Sequence, residues 1–251
     1  MKKIVLLLSL LPSLVLANPI DDNCPQHTIW GAPKLLQEGD NQYLCRAEYA
    51  VNLNYKTKVA YYVVEEIKAH ELVKNAPRKD DFRDDTEVPA EYRVSLKDYT
   101  GAGFDRGHMA PAADFTFNAK AMSESFLLSN MMPQVPGNNR GIWKYTEEAV
   151  RTWVATGDLY VITGTIYDPG YKTFGNKVGI PTYLYKIVIQ PSKSRIIAFL
   201  YPNEKLDPKQ IENYVVSVAD IETKTGIDFS PNIPAELKGL ETQKSKFADW
   251  N

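Results

Sequence analysis

Cysteine, histidine and surplus positive charge are all scarce in this 251-residue chain. Two cysteines, Cys24 and Cys45, exclude a disulfide-dense mini-scaffold, and no C-x-x-C or Cys/His spacing of a structural zinc site is present. In an oxidising compartment the pair predicts one disulfide closing a short loop, a cross-link that removes about 3 kcal/mol of chain entropy. A formal net charge of −2 excludes a globally basic surface. Any polyanion would have to be held by a local basic patch or through a metal. Beyond the N-terminus no apolar run reaches the roughly 20 residues that span a bilayer. P-loop, G-x-S-x-G and dinucleotide glycine signatures are missing as well.

At the N-terminus, Lys2 and Lys3 precede an apolar run from Ile4 to Leu16 that Pro12 interrupts, and Val15-Leu16-Ala17 has small residues at the cleavage positions. These features predict a signal peptide over residues 1–17 and an exported protein, periplasmic or secreted. Loss of Lys2 and Lys3 leaves 27 basic against 31 acidic residues, a net charge of −4. Residues 18–251 carry no repeat, low-complexity tract or linker, so they read as a single domain.

Apolar runs rich in Val, Ile and Tyr predict strands at Val59 to Ile67, Leu159 to Ile166, Tyr183 to Ile189 and Arg195 to Tyr201. The first is continuous rather than alternating, as in a strand buried on both faces. Gln190-Pro191-Ser192-Lys193-Ser194 predicts a hairpin between the last two. A helix is predicted from about Arg140 to Ala155, with Asn138 or Asn139 as its cap and Gly157 as its terminator. A second, near Asp220 to Thr225, has Ser217 and Asp220 in capping-box spacing and Gly226 at its end. Strands in runs with helices set apart predict an α+β fold.

Histidine is rare enough that its context carries weight: beyond His108 there are only His27 and His70, neither at ligand spacing. His108 ends Asp105-Arg106-Gly107-His108, a polar turn between Gly103 and Pro111, where an imidazole fits the part of a positioned base. The other reading is a packed histidine. Asn138 reads best as a helix cap, whereas Asn139 shares a helical face with Trp143 and Glu147. A carboxamide oxygen is a hard, neutral ligand suited to Mg²⁺. Glu147 is either an acceptor for water near such a cation or an ordinary solvated carboxylate. Arg106, Arg140, Arg78 and Arg83 are candidates for phosphate contacts, although Asp80, Asp81, Asp84 and Asp85 surround the last two.

Phe104-Asp105-Arg106-Gly107-His108-Met109-Ala110-Pro111-Ala112 resembles the D-R-G-H signature of the DNA/RNA non-specific endonucleases, which include secreted bacterial nucleases and mitochondrial endonuclease G. A second block is also similar: Asn130-x-x-Pro133-Gln134, then Asn139-x-x-x-Trp143-x-x-x-Glu147. Weaker likeness is found at Phe82-Arg83-Asp84-Asp85 and Thr225-Gly226-Ile227-Asp228-Phe229. The resemblance implies a ββα-metal core within a mainly antiparallel sheet flanked by helices. It implies His108 as general base and Asn139 as the direct protein ligand of Mg²⁺, with Mn²⁺ as a substitute. It further implies that Asn130 and Glu147 organise water, that Arg106 supports the phosphate, and that Arg78 or Arg83 supplies an upstream arginine. DNA and RNA would be the substrates and 5′-phosphates the products. Two rival readings remain: an exported polyanion-binding protein without catalysis, and a metallophosphodiesterase acting on small nucleotides.

Overall fold

The computed structural model describes residues 24–37 and 39–251, so the predicted signal peptide lies outside the described residues. In chain order the strands are β1 (Lys34–Leu35), β2 (Asn41–Cys45), β3 (Tyr49–Asn54), β4 (Val59–Ile67), β5 (Asp105–His108), β6 (Met131–Gln134) and β7 (Leu159–Ile166). There follow β8 (Thr173–Phe174), β9 (Val178–Gly179), β10 (Tyr183–Gln190), β11 (Arg195–Pro202), β12 (Val215–Val216) and β13 (Ile227–Asp228). The helices are α1 (Leu96–Tyr99), α2 (Ala119–Glu124), α3 (Lys144–Trp153), α4 (Val218–Thr225) and α5 (Ala235–Lys238).

Seven strands form one sheet in the order β12-β11-β10-β7-β4-β3-β2, and every neighbouring pair is antiparallel. Each face buries a separate apolar layer, which is why the central strands read as continuous apolar runs. One layer joins Val63, Val161, Val188 and Phe199 to Trp143, Val150 and Trp153 of the helical segment that ends in α3. The other joins Tyr62, Ile162, Ile187 and Ala198 to Val218 and Ile221 of α4. The fold is therefore α+β, as expected, with helices on both faces of the sheet. Among the described residues no helix is long and apolar enough to cross a membrane.

The four predicted strands match β4, β7, β10 and β11 to within one residue at each end. Ser194 takes a left-handed φ of 45° in the β10–β11 hairpin. Helix α4 begins with the Ser217–Asp220 capping box and ends at Gly226 with φ 65°. The helix predicted from Arg140 differs. A helical turn at Pro136–Asn138 passes into a widened π turn at Asn139–Trp143, and α3 proper starts at Lys144. Asn138 caps nothing: its fully buried side chain donates to Pro202 O at 2.9 Å and Glu204 O at 3.0 Å, tying this turn to the end of β11.

Cys24 and Cys45 form the expected disulfide, with their Cα atoms 5.7 Å apart. The next residue, Arg46, is buried and pairs with Asp85 and Glu87, each at 2.5 Å. Asp85 also accepts from Ser129 Oγ at 2.5 Å, so the bridged N-terminal segment is fastened to the loop that leads into β6.

Candidate active site

Strands β5 and β6 pair outside the main sheet, with Asp105 opposite Gln134 and His108 opposite Met131. Gly107 makes the close approach possible, because a Cβ there would run into Gln134 Oε1. Beyond β5, Asn130 accepts from Ala110 N at 3.0 Å and donates to Ala110 O at 2.9 Å. With a further bond to Ser125 O, both amide hydrogens are committed and the side chain is wholly buried. Asn130 therefore fixes the chain just past His108 and does not reach the pocket. The sequence pattern could not separate that role from the water-organising one implied by resemblance.

This pair and the turn that follows it open onto a cavity of about 720 Å³ lined by Arg78, Phe82, Tyr99, Phe104, Asp105, Arg106, His108, Asn139, Arg140, Lys144, Glu147 and Arg151, among others. Of the predicted residues, His108, Arg106, Asn139, Glu147, Arg78 and Arg140 all meet there. Arg83 does not. Its guanidinium turns inward to Asp81 and to Ser123 O, the latter at 2.8 Å.

The imidazole of His108 packs against two phenylalanine rings, Phe126 at 5.0 Å and Phe82 at 5.6 Å, which also touch each other. Two arginines cover those rings from outside, Arg106 4.1 Å from the Phe82 centroid and Arg78 5.0 Å from that of Phe126. Burial and the two guanidiniums push His108 down to about 3, with Asp80 opposing. The ring is thus neutral near pH 7, the form a proton acceptor requires. Its Nε2 is buried without a hydrogen-bond partner among the described residues.

Asn139 donates from Nδ2 to Asp105 Oδ2 at 2.9 Å, and Arg140 binds the same carboxylate at 2.8 and 2.6 Å. Against the upward push of burial, these bonds hold the Asp105 carboxyl below its usual range. With its amide nitrogen committed to Asp105, Asn139 has Oδ1 free to accept a cation. Glu147 sits two turns further along, and burial pushes its carboxyl up to about 7 despite the pull of Lys186 and Arg151. Among the described residues no group of three or more His, Cys, Asp or Glu side chains could form a metal cage. The available donors, one carboxamide oxygen and a nearby carboxylate, suit a hard cation that keeps most of its water.

Four further participants are not singled out by the sequence. Asp105 was seen only as part of a polar turn. Arg151 lines the cavity and pairs with buried Asp114 at 3.0 Å. Its spacing of four from Glu147 on one helix was the signal that could have found it. Lys186 on β10 and Glu65 on β4 flank β7 on the sheet face beneath α3, where Lys186 Nζ donates to Thr163 Oγ1 of β7 at 2.6 Å. No spacing in the sequence announces them.

The model of the DNA/RNA non-specific endonucleases matches residues 30–236. The chain belongs to that family. It is thereby a hydrolase of nucleic-acid phosphodiester bonds. Nuclease C1 of Cunninghamella echinulata var. echinulata is 34% identical over 228 residues, covering 82% of this chain and 90% of its own. Human mitochondrial endonuclease G is 33% identical over 220 residues, covering 80% and 73%. A crystal structure of an EndoG/EndoGI complex superposes with a TM-score of 0.77 at 29% identity, over 83% of this chain and 91% of that one.

Proposed function

We propose that this family member is a Mg²⁺-dependent endonuclease without sequence specificity, cutting both DNA and RNA to 5′-phosphate products. The observation that carries this reading is the meeting of His108, Asn139, Glu147, Arg78 and Arg106 in one cavity. Neutral His108 takes the proton from a water that attacks phosphorus. Arg106 and Arg78 hold the non-bridging oxygens, and Arg140, already paired with Asp105, is available at the rim. Asn139 Oδ1 would hold the cation, and Glu147 would accept hydrogen bonds from the water around it. Bound there, Mg²⁺ would neutralise the phosphate and favour departure of the 3′-oxygen. None of these contacts reads a base edge, in keeping with cutting that ignores sequence.

The chain is expected to act as a single domain after loss of residues 1–17, in an exported, disulfide-forming setting. Digestion of plasmid and ribosomal RNA across a metal panel tests the reading. Cleavage should require the divalent cation, stop with chelator and fall by about two to four orders of magnitude in His108→Ala. Undiminished cutting by that variant overturns the assignment.

A further inference from the structure

The cavity has an aromatic wall as well as a cationic one. Tyr99 and Phe104 line it, and behind them stands Phe174, with its ring 5.2 Å from Tyr99 and 5.5 Å from Phe104. Phe174 belongs to a hairpin whose strands, β8 and β9, lie outside the main sheet. The hairpin is firmly seated. Asn176 N donates to Asp98 Oδ1 at 2.7 Å, Gly179 N to Thr57 O at 2.8 Å, and Ile180 N to Lys172 O at 2.8 Å. Val178 is fully buried.

The outer side of this hairpin is basic. Lys172 and Lys177 are exposed, as is Lys97 on α1, next to the Asp98 that receives the hairpin. None of the three has a carboxylate within ion-pair distance among the described residues, unlike Arg78, Arg140 and Arg151 in the cavity. Asp98 itself is occupied by Ser95 N, Ser95 Oγ and Asn176 N. Two acids oppose them: exposed Asp168 at the foot of the hairpin, and Asp84, which accepts from Leu96 N at 3.0 Å beside Lys97. A chain of net negative charge thus carries three exposed lysines on and beside a hairpin whose Phe174 packs against the aromatic wall of the cavity.

We propose that the β8–β9 hairpin is a binding arm for the nucleic-acid backbone outside the cleavage cavity. Lys172 and Lys177, with Lys97 at the docking point, contact phosphates of the polymer away from the scissile bond. Phe174 couples the arm to the cavity through Tyr99 and Phe104. The inference rests on the nuclease reading and refines its substrate class. A polymer long enough to reach the arm gains affinity, and a dinucleotide does not.

The test uses the full chain carrying Lys97→Gln, Lys172→Gln and Lys177→Asn. Asparagine is chosen at 177 because that residue has φ 59°, a left-handed conformation that asparagine tolerates. Binding of a labelled duplex is measured by anisotropy in chelator, alongside steady-state cleavage of the duplex and of a dinucleotide. The variant should bind the duplex roughly tenfold more weakly, with the slope of log Kd against log salt shallower by about 3. Its KM for polymer should rise while kcat and dinucleotide turnover stay at the wild-type level. Unchanged duplex affinity and salt slope, in an enzyme that still cuts, overturn the arm and leave the nuclease reading intact. A wild-type chain that cuts neither substrate overturns both.

Discussion

Asn139 and Asp105 stand 34 residues apart in the chain and meet through a 2.9 Å hydrogen bond from the amide nitrogen to Oδ2. That bond decides which end of the carboxamide faces the cavity. Asp105 enters the motif as a charged neighbour of His108, yet its contact orients the proposed metal ligand.

Asp105→Asn should therefore damage metal use more than folding. The substituted amide offers no full charge to Asn139 or Arg140, and the ligand amide is free to turn over. The Mg²⁺ concentration for half-maximal activity should rise about 10- to 100-fold, the usual cost of losing a group that orients a metal ligand. Arg140→Ala, which leaves the Asn139 contact in place, should shift it much less. Metal titration of cleavage rates, with thermal melting as the control for folding, compares the two.

Glu147 sets a pH dependence whose sign follows from its raised pKa. In the folded chain it keeps its proton up to about 7, above its ordinary value of 4.5. This contribution favours folding below the unfolded value and is lost as pH rises through about 7. A cation nearby favours the ionised form, so its binding expels the proton. Apparent Mg²⁺ affinity should weaken by roughly tenfold for each pH unit below 7 and level off above it. Glu147→Gln should flatten that dependence. Calorimetric metal titrations at several pH values read the slope directly, and an equal slope in both proteins contradicts the assignment.

The sequence made some of this legible and hid the rest for definable reasons. β4, β7, β10 and β11 were readable because burial on both faces writes a long, mainly apolar run. Ser217, Asp220 and Gly226 were readable because capping is local. Asn138 was misread as a cap because its true partners, Pro202 O and Glu204 O, are more than 60 residues away. The choice between Arg78 and Arg83 had the same character. Both sit among aspartates, and only the fold turns Arg83 to Ser123 O while leaving Arg78 over Phe126. Local patterns identified the residue types of the site, and long-range contacts set where each side chain lies.

Arg46 links the disulfide to the β6 approach, and its removal should cost more than removal of the bridge. The side chains of Arg46 and Asp85 are each only 4% exposed, so Arg46→Ala leaves a buried carboxylate held only by the uncharged donors Ser129 Oγ and Glu87 N. A loss of roughly 3–5 kcal/mol is expected. Joint replacement of Cys24 and Cys45 by serine should cost about 3 kcal/mol, through freedom regained by the unfolded chain. Denaturant unfolding of the two variants settles the ranking, and a bridge variant less stable than Arg46→Ala goes against it.

Lys186 offers a sharper test of the buried charges beneath α3. Its ammonium lies 5.1 Å from the Trp143 ring centroid, on the face where Glu65 is also buried. Burial lowers the Lys186 pKa while Glu65 opposes, and burial raises Glu65 well above its ordinary value. Across β7, each group favours the charged form of the other against the push of burial. Lys186→Met alone strands Glu65 and should destabilise by about 3–5 kcal/mol. Adding Glu65→Gln removes the stranded charge, so the double variant should be more stable than the single one, with a coupling energy of about 1–3 kcal/mol. Simple additivity in that cycle means that the two groups do not compensate each other. The remaining carboxylates, Asp114 and Glu147, would then be what stabilises Lys186, and the cycle repeated with Glu147→Gln would carry the coupling instead.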